Sequence, residues 1–258
     1  MADLVKFNPK GVREEVVKQL EEMQKSQFVR LSENYKESAF FAIEKLTTLE
    51  DIDKISSIDI TKTLIKVFKN KLDFQKNHCY FFVQNDKNSP TGKSLRFGWQ
   101  YQGLVSVAKR ECGVTEVYPV LIYENDVFET HYDFGALIID KHIPTFEGEI
   151  KGGYCVCEFQ KNSYIIKYFT KKELDQRRDK SMAKSGKFWA WEREMYEKTL
   201  INATLKRMIE TNENVEATDL YSEQESPEQR TVDVEIVSQE EPKQIAQTTT
   251  NQPKPFKI

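Results

Sequence analysis

The order in which helix-like and strand-like patterns follow one another constrains the fold of this 258-residue chain most strongly. Near the N-terminus, apolar residues recur at helical spacing at Val12, Val16, Leu20 and Met23, and similar patterns continue through the first third. Strand-like segments begin only at Cys79. Helices followed by strands, without regular alternation between the two, predict an α+β fold.

The region after Cys79 predicts a hairpin and then a short helix. CYFFV and SLRFGW are strand-like and lie on either side of the turn-rich QNDKNSPTG, which is typical of a hairpin with a long loop. YQGLVSVAKREC, residues 101–112, predicts a short helix that ends at Gly113, a residue favoured just after a helix.

The next segments predict an antiparallel meander of three to five strands and a long C-terminal helix. Strand patterns run from Val114 to Thr170, with Asn125-Asp126 and Lys161-Asn162 as predicted hairpin turns. Thr170 is a predicted helix cap, and the long helix is predicted to begin near Phe188.

Composition divides the chain into three predicted regions: N-terminal helices (residues 1–74), an α+β core (residues 75–211) and an acidic tail (residues 212–258). Residues 211–258 contain ten acidic and four basic residues, whereas residues 1–210 contain 31 and 34. The body is therefore positive and the tail negative. The tail also has too little apolar surface to offset the entropy of ordering it, so we predict disorder there.

Cysteine content and hydropathy bear on the compartment. The chain has four cysteines, no signal peptide and no apolar run long enough to span a membrane. These features indicate a reducing compartment, and we interpret the protein as cytoplasmic.

The C-terminal helix, within residues 187–209, carries polar residues between two apolar arcs. Tyr196, Leu200 and Ala203 lie on one arc, and Ile201, Leu205 and Met208 lie roughly opposite. Between the arcs lies a column of three polar residues: Lys198, Asn202 and Lys206. Successive members are about 6 Å apart along the helix axis, a spacing that suits a row of phosphates. The alternative is a solvated stripe on an amphipathic helix.

Two neighbouring groups of residues favour the nucleic-acid interpretation. Trp189 and Trp191 lie at the start of this helix, after a basic loop that contains Lys180, Lys184 and Lys187. A second cluster combines cations and aromatic rings within residues 93–110. Aromatic rings interleaved with cations are what single-strand binding requires, although such rings are also common in protein cores.

Together the clusters resemble the RecT family of phage single-strand annealing proteins, within the RecT/Red beta superfamily, over roughly residues 75–210. The matching motifs include Tyr101-Gln102-Gly103, with Gln102 in place of the usual arginine, and MYEKT, with Lys198 and Thr199. VLIYENDVFETHYD and YIIKYFTKKEL are similar to the family's intervening strands. Where relatives carry an arginine pair, this chain has Asn202-Ala203.

The resemblance implies a phage recombinase without bond-breaking chemistry that binds single-stranded DNA and pairs complementary strands without ATP. It implies a homo-oligomer, either a ring or a helical filament, for which the N-terminal helices are the expected joint. The implied partners are the annealed duplex, a phage 5′ to 3′ exonuclease and the bacterial host's single-strand binding protein. We expect no required cofactor and no bound metal, with Mg²⁺ modulating annealing.

The residues expected to contact DNA are the cations, aromatic rings and polar groups of the two clusters and the loop between them. They are Lys93, Arg96, Trp99, Tyr101, Gln102, Lys109, Arg110, Arg177, Arg178, Lys184, Lys187, Lys198, Thr199, Asn202, Lys206 and Arg207.

Three other interpretations remain open at this stage. Asp140, Glu149 and Lys151 have the order of a metal-dependent nuclease motif, although a charged turn is a commoner explanation. Cys155 and Cys157 share one face of a strand and could bind a metal, but buried thiols are the default. A non-catalytic interaction module would show no salt-dependent affinity for DNA.

Overall fold

The computed structural model describes residues 7–26, 31–134, 136–160, 163–181 and 187–212. The fold is α+β, with helices at the N-terminus, antiparallel strands in the middle and a long C-terminal helix, as predicted. The acidic tail and Lys184 lie outside the described residues. The division into three regions therefore stays a prediction.

Three helices form the N-terminal third: α1 (Pro9–Lys25), α2 (Tyr35–Leu46) and α3 (Ser57–Lys69). Side chains cap two of these helices, since the Asn8 side chain accepts a hydrogen bond from the Gly11 N–H and the Ser56 side chain accepts one from the Asp59 N–H. The predicted apolar face of α1 is buried at Val12, Val16 and Leu20.

A hairpin of β1 (Cys79–Asn85) and β2 (Lys93–Trp99) follows, as predicted. Helix α4 (Tyr101–Glu111) comes next, and Gly113 beyond its end has a φ of 72°, a conformation that favours glycine. A Cβ atom added at Gly103 would lie 2.2 Å from the His78 carbonyl oxygen. Helix α4 therefore packs directly against the backbone that leads into β1.

Five more strands follow: β3 (Val114–Tyr123), β4 (Val127–Asp133), β5 (Ala136–Ile143), β6 (Ile150–Phe159) and β7 (Tyr164–Thr170). All of their pairings are antiparallel, as predicted. They do not form one continuous meander, because β3, β6 and β7 make a three-stranded sheet in that order while β4 and β5 pair only with each other.

The Asn125-Asp126 turn is consequently not a hairpin turn, and that prediction is wrong. Asp126 accepts hydrogen bonds from the Tyr123 N–H at 2.8 Å and from the Thr145 N–H at 2.7 Å. These bonds fasten the turn to the segment that follows β5, so β3 pairs with β6. Strands β6 and β7 do pair as expected, although Lys161 and Asn162 lie outside the described residues.

Helix α5 (Lys171–Lys180) begins with the predicted cap at Thr170. Thr170 Oγ1 accepts a hydrogen bond from the Glu173 N–H, and the Glu173 side chain accepts one from the Thr170 N–H at 2.8 Å. A 3-10 helix (Lys187–Ala190) precedes α6 (Glu192–Glu210), which starts four residues later than predicted.

Helix α6 lies at the centre of the core, because it packs against α4, α5, β3 and β6. The two predicted apolar arcs merge through Thr204 into one buried face, which consists of Tyr196, Leu200, Ile201, Thr204, Leu205 and Ile209. In the described part of the chain, no helix has both the length and the apolar character needed to cross a membrane.

Candidate nucleic-acid interface

The junction between α5 and α6 is built around the hydroxyl group of Tyr196, whose side chain is buried. This hydroxyl donates to the Asp175 carboxylate and accepts hydrogen bonds from Lys171 Nζ at 2.5 Å and Arg178 Nη1 at 3.2 Å. A tyrosine hydroxyl offers one donor and two acceptor positions, so its hydrogen-bonding capacity is filled. The junction therefore fixes α5 against α6.

Charge and stacking reinforce this junction. Burial raises the pKa of Asp175, but hydrogen bonds from Tyr196 and Lys171 outweigh it and hold that pKa below its usual value. The Lys171 ammonium lies 4.4 Å from the centre of the Tyr196 ring. The Arg178 guanidinium lies 5.5 Å from the ring of Trp189, which packs edge-on against Tyr196. Arg178 and Trp189 thus stabilise the junction.

Five cations of α5, the 3-10 helix and α6 have no acidic partner in the part of the chain that the structure describes. Each is exposed, and none forms an ion pair with another described residue. Arg177 lies over the Phe169 ring at 5.4 Å, which holds its side chain in place and leaves its charge available. We call this group the α5–α6 basic surface, and it consists of Lys172, Arg177, Lys180, Lys187 and Lys198.

The predicted column on α6 drifts around the helix. Each step of four residues turns by about 40°, so Asn202 and Lys206 lie progressively further round than the exposed Lys198. Arg207 is also exposed but lies about half a turn from Lys198. The Thr199 hydroxyl donates to the Met195 carbonyl oxygen at 2.8 Å and is used within the helix.

The cations of the second cluster, within residues 93–110, are paired with carboxylates of the same chain. Any of them would have to exchange a carboxylate for a phosphate, which lowers the gain from a DNA contact. The pairs are Lys93 with Asp51, Arg96 with Asp86 at 3.1 Å, Lys109 with Glu116 at 2.8 Å and Arg110 with Glu111 at 2.6 Å.

The aromatic rings of the two clusters differ in exposure. Trp99 is buried beside Phe97, and Tyr101 is half-buried against the core, so neither presents an open face for stacking. Trp191 is 67% exposed and precedes the first turn of α6. Trp191 is therefore the one ring of these clusters that could stack on a base in the part of the chain that the structure describes.

Two polar side chains of the predicted site have unused hydrogen-bonding capacity. Gln102 Oε1 and Asn202 Oδ1 are buried and have no hydrogen-bond partner among the described residues. Buried polar atoms are usually paired in folded proteins. Gln102 lies on α4 and Asn202 on α6, and these two helices pack together.

Asp140 and Lys151 of the nuclease hypothesis each have a close polar partner outside that motif, and Lys151 also contacts Glu149. Asp140 on β5 lies 2.8 Å from His131, and Lys151 pairs with Glu124 at 3.0 Å and Glu149 at 3.7 Å. Within the described ranges no group of three or more His, Cys, Asp or Glu residues is arranged to hold a metal ion. Cys155 and Cys157 are free, buried thiols.

Two features were missed by sequence reasoning. Lys172 is the first of these. It lies eight residues before Lys180, and this helical spacing indicates that both lysines lie on the exposed side of α5. The second is the role of the Tyr196 hydroxyl group in joining α5 to α6. The sequence indicated such a role, because a tyrosine within an apolar arc needs a hydrogen-bond partner for its hydroxyl group.

Exposed cations on two adjoining helices of an α+β body, without an acidic partner among the described residues, are a feature that nucleic-acid-binding proteins share. Residues 19–239 match the model of the RecT family, a longer stretch than the motifs of the sequence cover. The chain belongs to the RecT family. A comparison with curated proteins found no match. Family membership implies single-stranded DNA binding and annealing in phage recombination, by proteins that are not catalysts of bond breakage.

Proposed function

We propose that this protein pairs complementary single strands of DNA without ATP and holds them on the α5–α6 basic surface as a homo-oligomer. The observation that carries the annealing activity is the match to the RecT family over residues 19–239. The choice of surface is supported by its five exposed cations, which form no ion pair with other described residues.

A basic surface assists annealing through electrostatics. Two single strands repel each other through their phosphates, and lysine and arginine side chains offset that repulsion while they displace counterions. Contacts to the backbone position the strands, and base pairing supplies the test of sequence. Binding should therefore weaken strongly as the salt concentration rises.

Oligomerisation extends the surface along the strand. One protomer covers only a few nucleotides, so a continuous track requires neighbours arranged in a ring or a helical filament. We propose that the protein acts in the cytoplasm of a bacterial host, beside a phage 5′ to 3′ exonuclease and the host single-strand binding protein. It requires no cofactor, and Mg²⁺ modulates annealing by screening phosphates.

The test is the annealing of two complementary, dye-labelled oligonucleotides at modest salt without nucleoside triphosphate. Acceleration of the matched pair but not of a non-complementary pair is the expected result, with and without Mg²⁺. Failure to accelerate the matched pair in both conditions would contradict the proposal. Cleavage in Mg²⁺ that Glu149→Ala abolishes would instead favour the nuclease alternative.

A further inference from the structure

The loop between β5 and β6 presents an exposed aromatic ring. Phe146 is 61% exposed and has a φ of 61°, a backbone conformation that asparagine or glycine usually adopts. Neither burial nor local backbone preference explains a phenylalanine at this position. A bulky apolar side chain kept there indicates a role outside the folded protomer.

The backbone on both sides of Phe146 is fixed by hydrogen bonds. The Thr145 N–H and hydroxyl donate to the buried Asp126 carboxylate at 2.7 Å and 2.9 Å. The Glu147 N–H donates to Thr145 Oγ1 at 3.3 Å, and the Glu147 carbonyl oxygen accepts from the Asn125 N–H at 3.4 Å. Binding of a ligand to this ring would therefore order little backbone, which favours affinity.

Two side chains hold the ring itself. The Tyr123 ring packs against it nearly edge-on, with centroids 6.1 Å apart, and the Arg193 guanidinium lies 5.7 Å from its centre. Arg193 in turn donates to Glu197 at 3.0 Å, which fixes the guanidinium. More than half of the Phe146 side chain stays exposed beside these contacts, so the ring has room for a second flat group such as a nucleobase.

Phe146 lies close to the α5–α6 basic surface. Its contact Arg193 is in the first turn of α6, and Lys198 of that surface follows five residues later, about 140° round the helix. The ring and Lys198 therefore flank the N-terminal part of α6. A helix is about 10 Å across, which is the length of about three nucleotides at about 3.4 Å each. A strand whose phosphates contact Lys198 can therefore reach the ring with one of its bases.

Charge near the ring favours a base over a phosphate. Four exposed glutamates lie within three residues of Phe146 or next to Arg193 in the chain: Glu147, Glu149, Glu192 and Glu194. Two of them contact lysines, at 3.7 Å and 3.6 Å, but the group keeps an excess of negative charge. Phosphates are repelled by such a group, whereas uncharged bases are not. These acidic residues and the lysines on the other side of α6 thus orient a strand with its bases towards Phe146.

We propose that Phe146 stacks on an unpaired base of a single strand whose phosphates lie on the α5–α6 basic surface. Any of the bases fits, because each has a flat π-face. Stacking occupies that face and leaves the pairing edge of the base free, so a complementary strand can still test it. The placement of the phosphates rests on the proposed function, whereas the contact between Phe146 and a base does not require annealing.

The test compares two short strands that differ only in their bases. One is a dye-labelled oligothymidylate of about ten nucleotides, and the other is an abasic strand of the same length and charge. Fluorescence anisotropy at modest salt measures the affinity of the full chain for each strand. We expect the unaltered chain to bind oligothymidylate more tightly than the abasic strand, and equal affinities would overturn the proposal.

Phe146→Leu keeps an apolar side chain against Tyr123 but removes the flat ring. It should weaken the binding of oligothymidylate about five- to tenfold and leave the affinity for the abasic strand unchanged. Phe146→Tyr keeps the ring and should bind both strands as the unaltered chain does. Circular dichroism verifies that both variants stay folded.

Phe40→Leu is the matched control, since Phe40 on α2 is also exposed, at 42%, and has the Arg13 guanidinium 5.8 Å from its ring centre. It should change neither affinity. Unchanged binding of oligothymidylate by Phe146→Leu would overturn the proposal. So would an equal loss for the abasic strand, for Phe146→Tyr or for Phe40→Leu.

Lys198→Ala separates this inference from the proposed function. Removal of a lysine that contacts a phosphate should lower the affinity for both strands alike. If Lys198→Ala changes neither affinity while Phe146→Leu weakens only the binding of oligothymidylate, the base contact is supported and the placement of phosphates on the basic surface is wrong. Annealing of matched strands by a chain whose Phe146→Leu variant binds oligothymidylate normally would overturn only the stacking.

Discussion

The carboxylate of Asp126 is the most strongly bound acidic group described at the sheet, and its four hydrogen bonds explain the topology there. It accepts from the Tyr123 N–H, the Thr145 N–H, the Thr145 hydroxyl at 2.9 Å and His142 Nε2. Burial raises its pKa, but these bonds, led by His142, outweigh burial and lower it. The folded protein therefore requires the charged form.

Asp126→Asn should destabilise the fold, because an amide cannot accept all four hydrogen bonds. We expect a loss of about 3 kcal/mol in the free energy of unfolding, measured in urea. Asp140→Asn, at a half-exposed carboxylate whose partner among the described residues is His131, is the control and should change it by less than about 0.5 kcal/mol. Equal losses for the two variants would refute a special role for Asp126.

The same carboxylate should contribute to loss of stability in acid. Its pKa is lower in the folded than in the unfolded state, so its contribution is present above the unfolded value of about 4 and is lost as the pH falls through the folded value. The difference in unfolding free energy between the unaltered chain and Asp126→Asn should therefore shrink below about pH 4.

His78 should make the free energy of unfolding depend on pH in a different range. Burial lowers its pKa, and its Nδ1 accepts a hydrogen bond from the Asp73 N–H at 3.1 Å, which needs the neutral ring. The unfolded state binds the proton more readily, so stability should fall as the pH drops below about 6.5. His78→Asn keeps an acceptor without titrating, and its unfolding free energy between about pH 5 and 7 should vary less.

Lys198 provides the test of a single phosphate contact. Lys198→Ala should weaken binding to single strands of any sequence and reduce the slope of log affinity against log salt by about one. The control is Lys109→Ala, because Lys109 is paired with Glu116. If Lys198→Ala changes the slope no more than Lys109→Ala does, Lys198 belongs to a solvated stripe.

Among the helices and strands, the α5–α6 junction gives a further prediction. Tyr196→Phe removes the hydroxyl group shared by Asp175, Lys171 and Arg178 and leaves their charges imperfectly paired. We expect a loss of about 1–3 kcal/mol in unfolding free energy. Tyr164→Phe, at an exposed tyrosine on β7, is the matched control and should have little effect. A neutral Tyr196→Phe would mean that the hydroxyl does not hold α5.

Local signals explain which elements were predictable from the sequence. Gly113 and Thr170 mark helix ends through their own backbone and side-chain chemistry, and both predictions are confirmed. The pairing of β3 with β6 depends on contacts between Asp126 and residues 16 and 19 positions later. No local pattern reports such contacts, so the turn was interpreted as a hairpin.

The candidate site was predictable to a similar degree. Sequence identified both basic clusters, but it could not show which cations the fold neutralises. Lys93 pairs with Asp51, 42 residues away, whereas Lys198 has no acidic partner among the described residues. The distinction between a structural and an available cation arises only from long-range packing.

Across the whole molecule, the positive body and the negative tail lead to a test by truncation. Ending the chain after Asn212 keeps the hydrogen bond from its side chain to the Glu111 carbonyl oxygen and removes most of the excess acidic charge. Affinity for single strands should rise at low salt, and the difference should disappear at high salt, because screening suppresses long-range repulsion. Equal affinities at low salt would mean that the tail does not oppose binding.

The pairing of β3 with β6 also governs the order in which the chain can fold during synthesis. The hairpins β1–β2 and β4–β5 join neighbouring segments and can close as soon as they leave the ribosome. Strand β3 cannot form its pairing until β4, β5 and β6 have all been synthesised. Its apolar residues stay unpaired during that interval, so we expect β3 to be the segment of the nascent chain that most needs protection by chaperones.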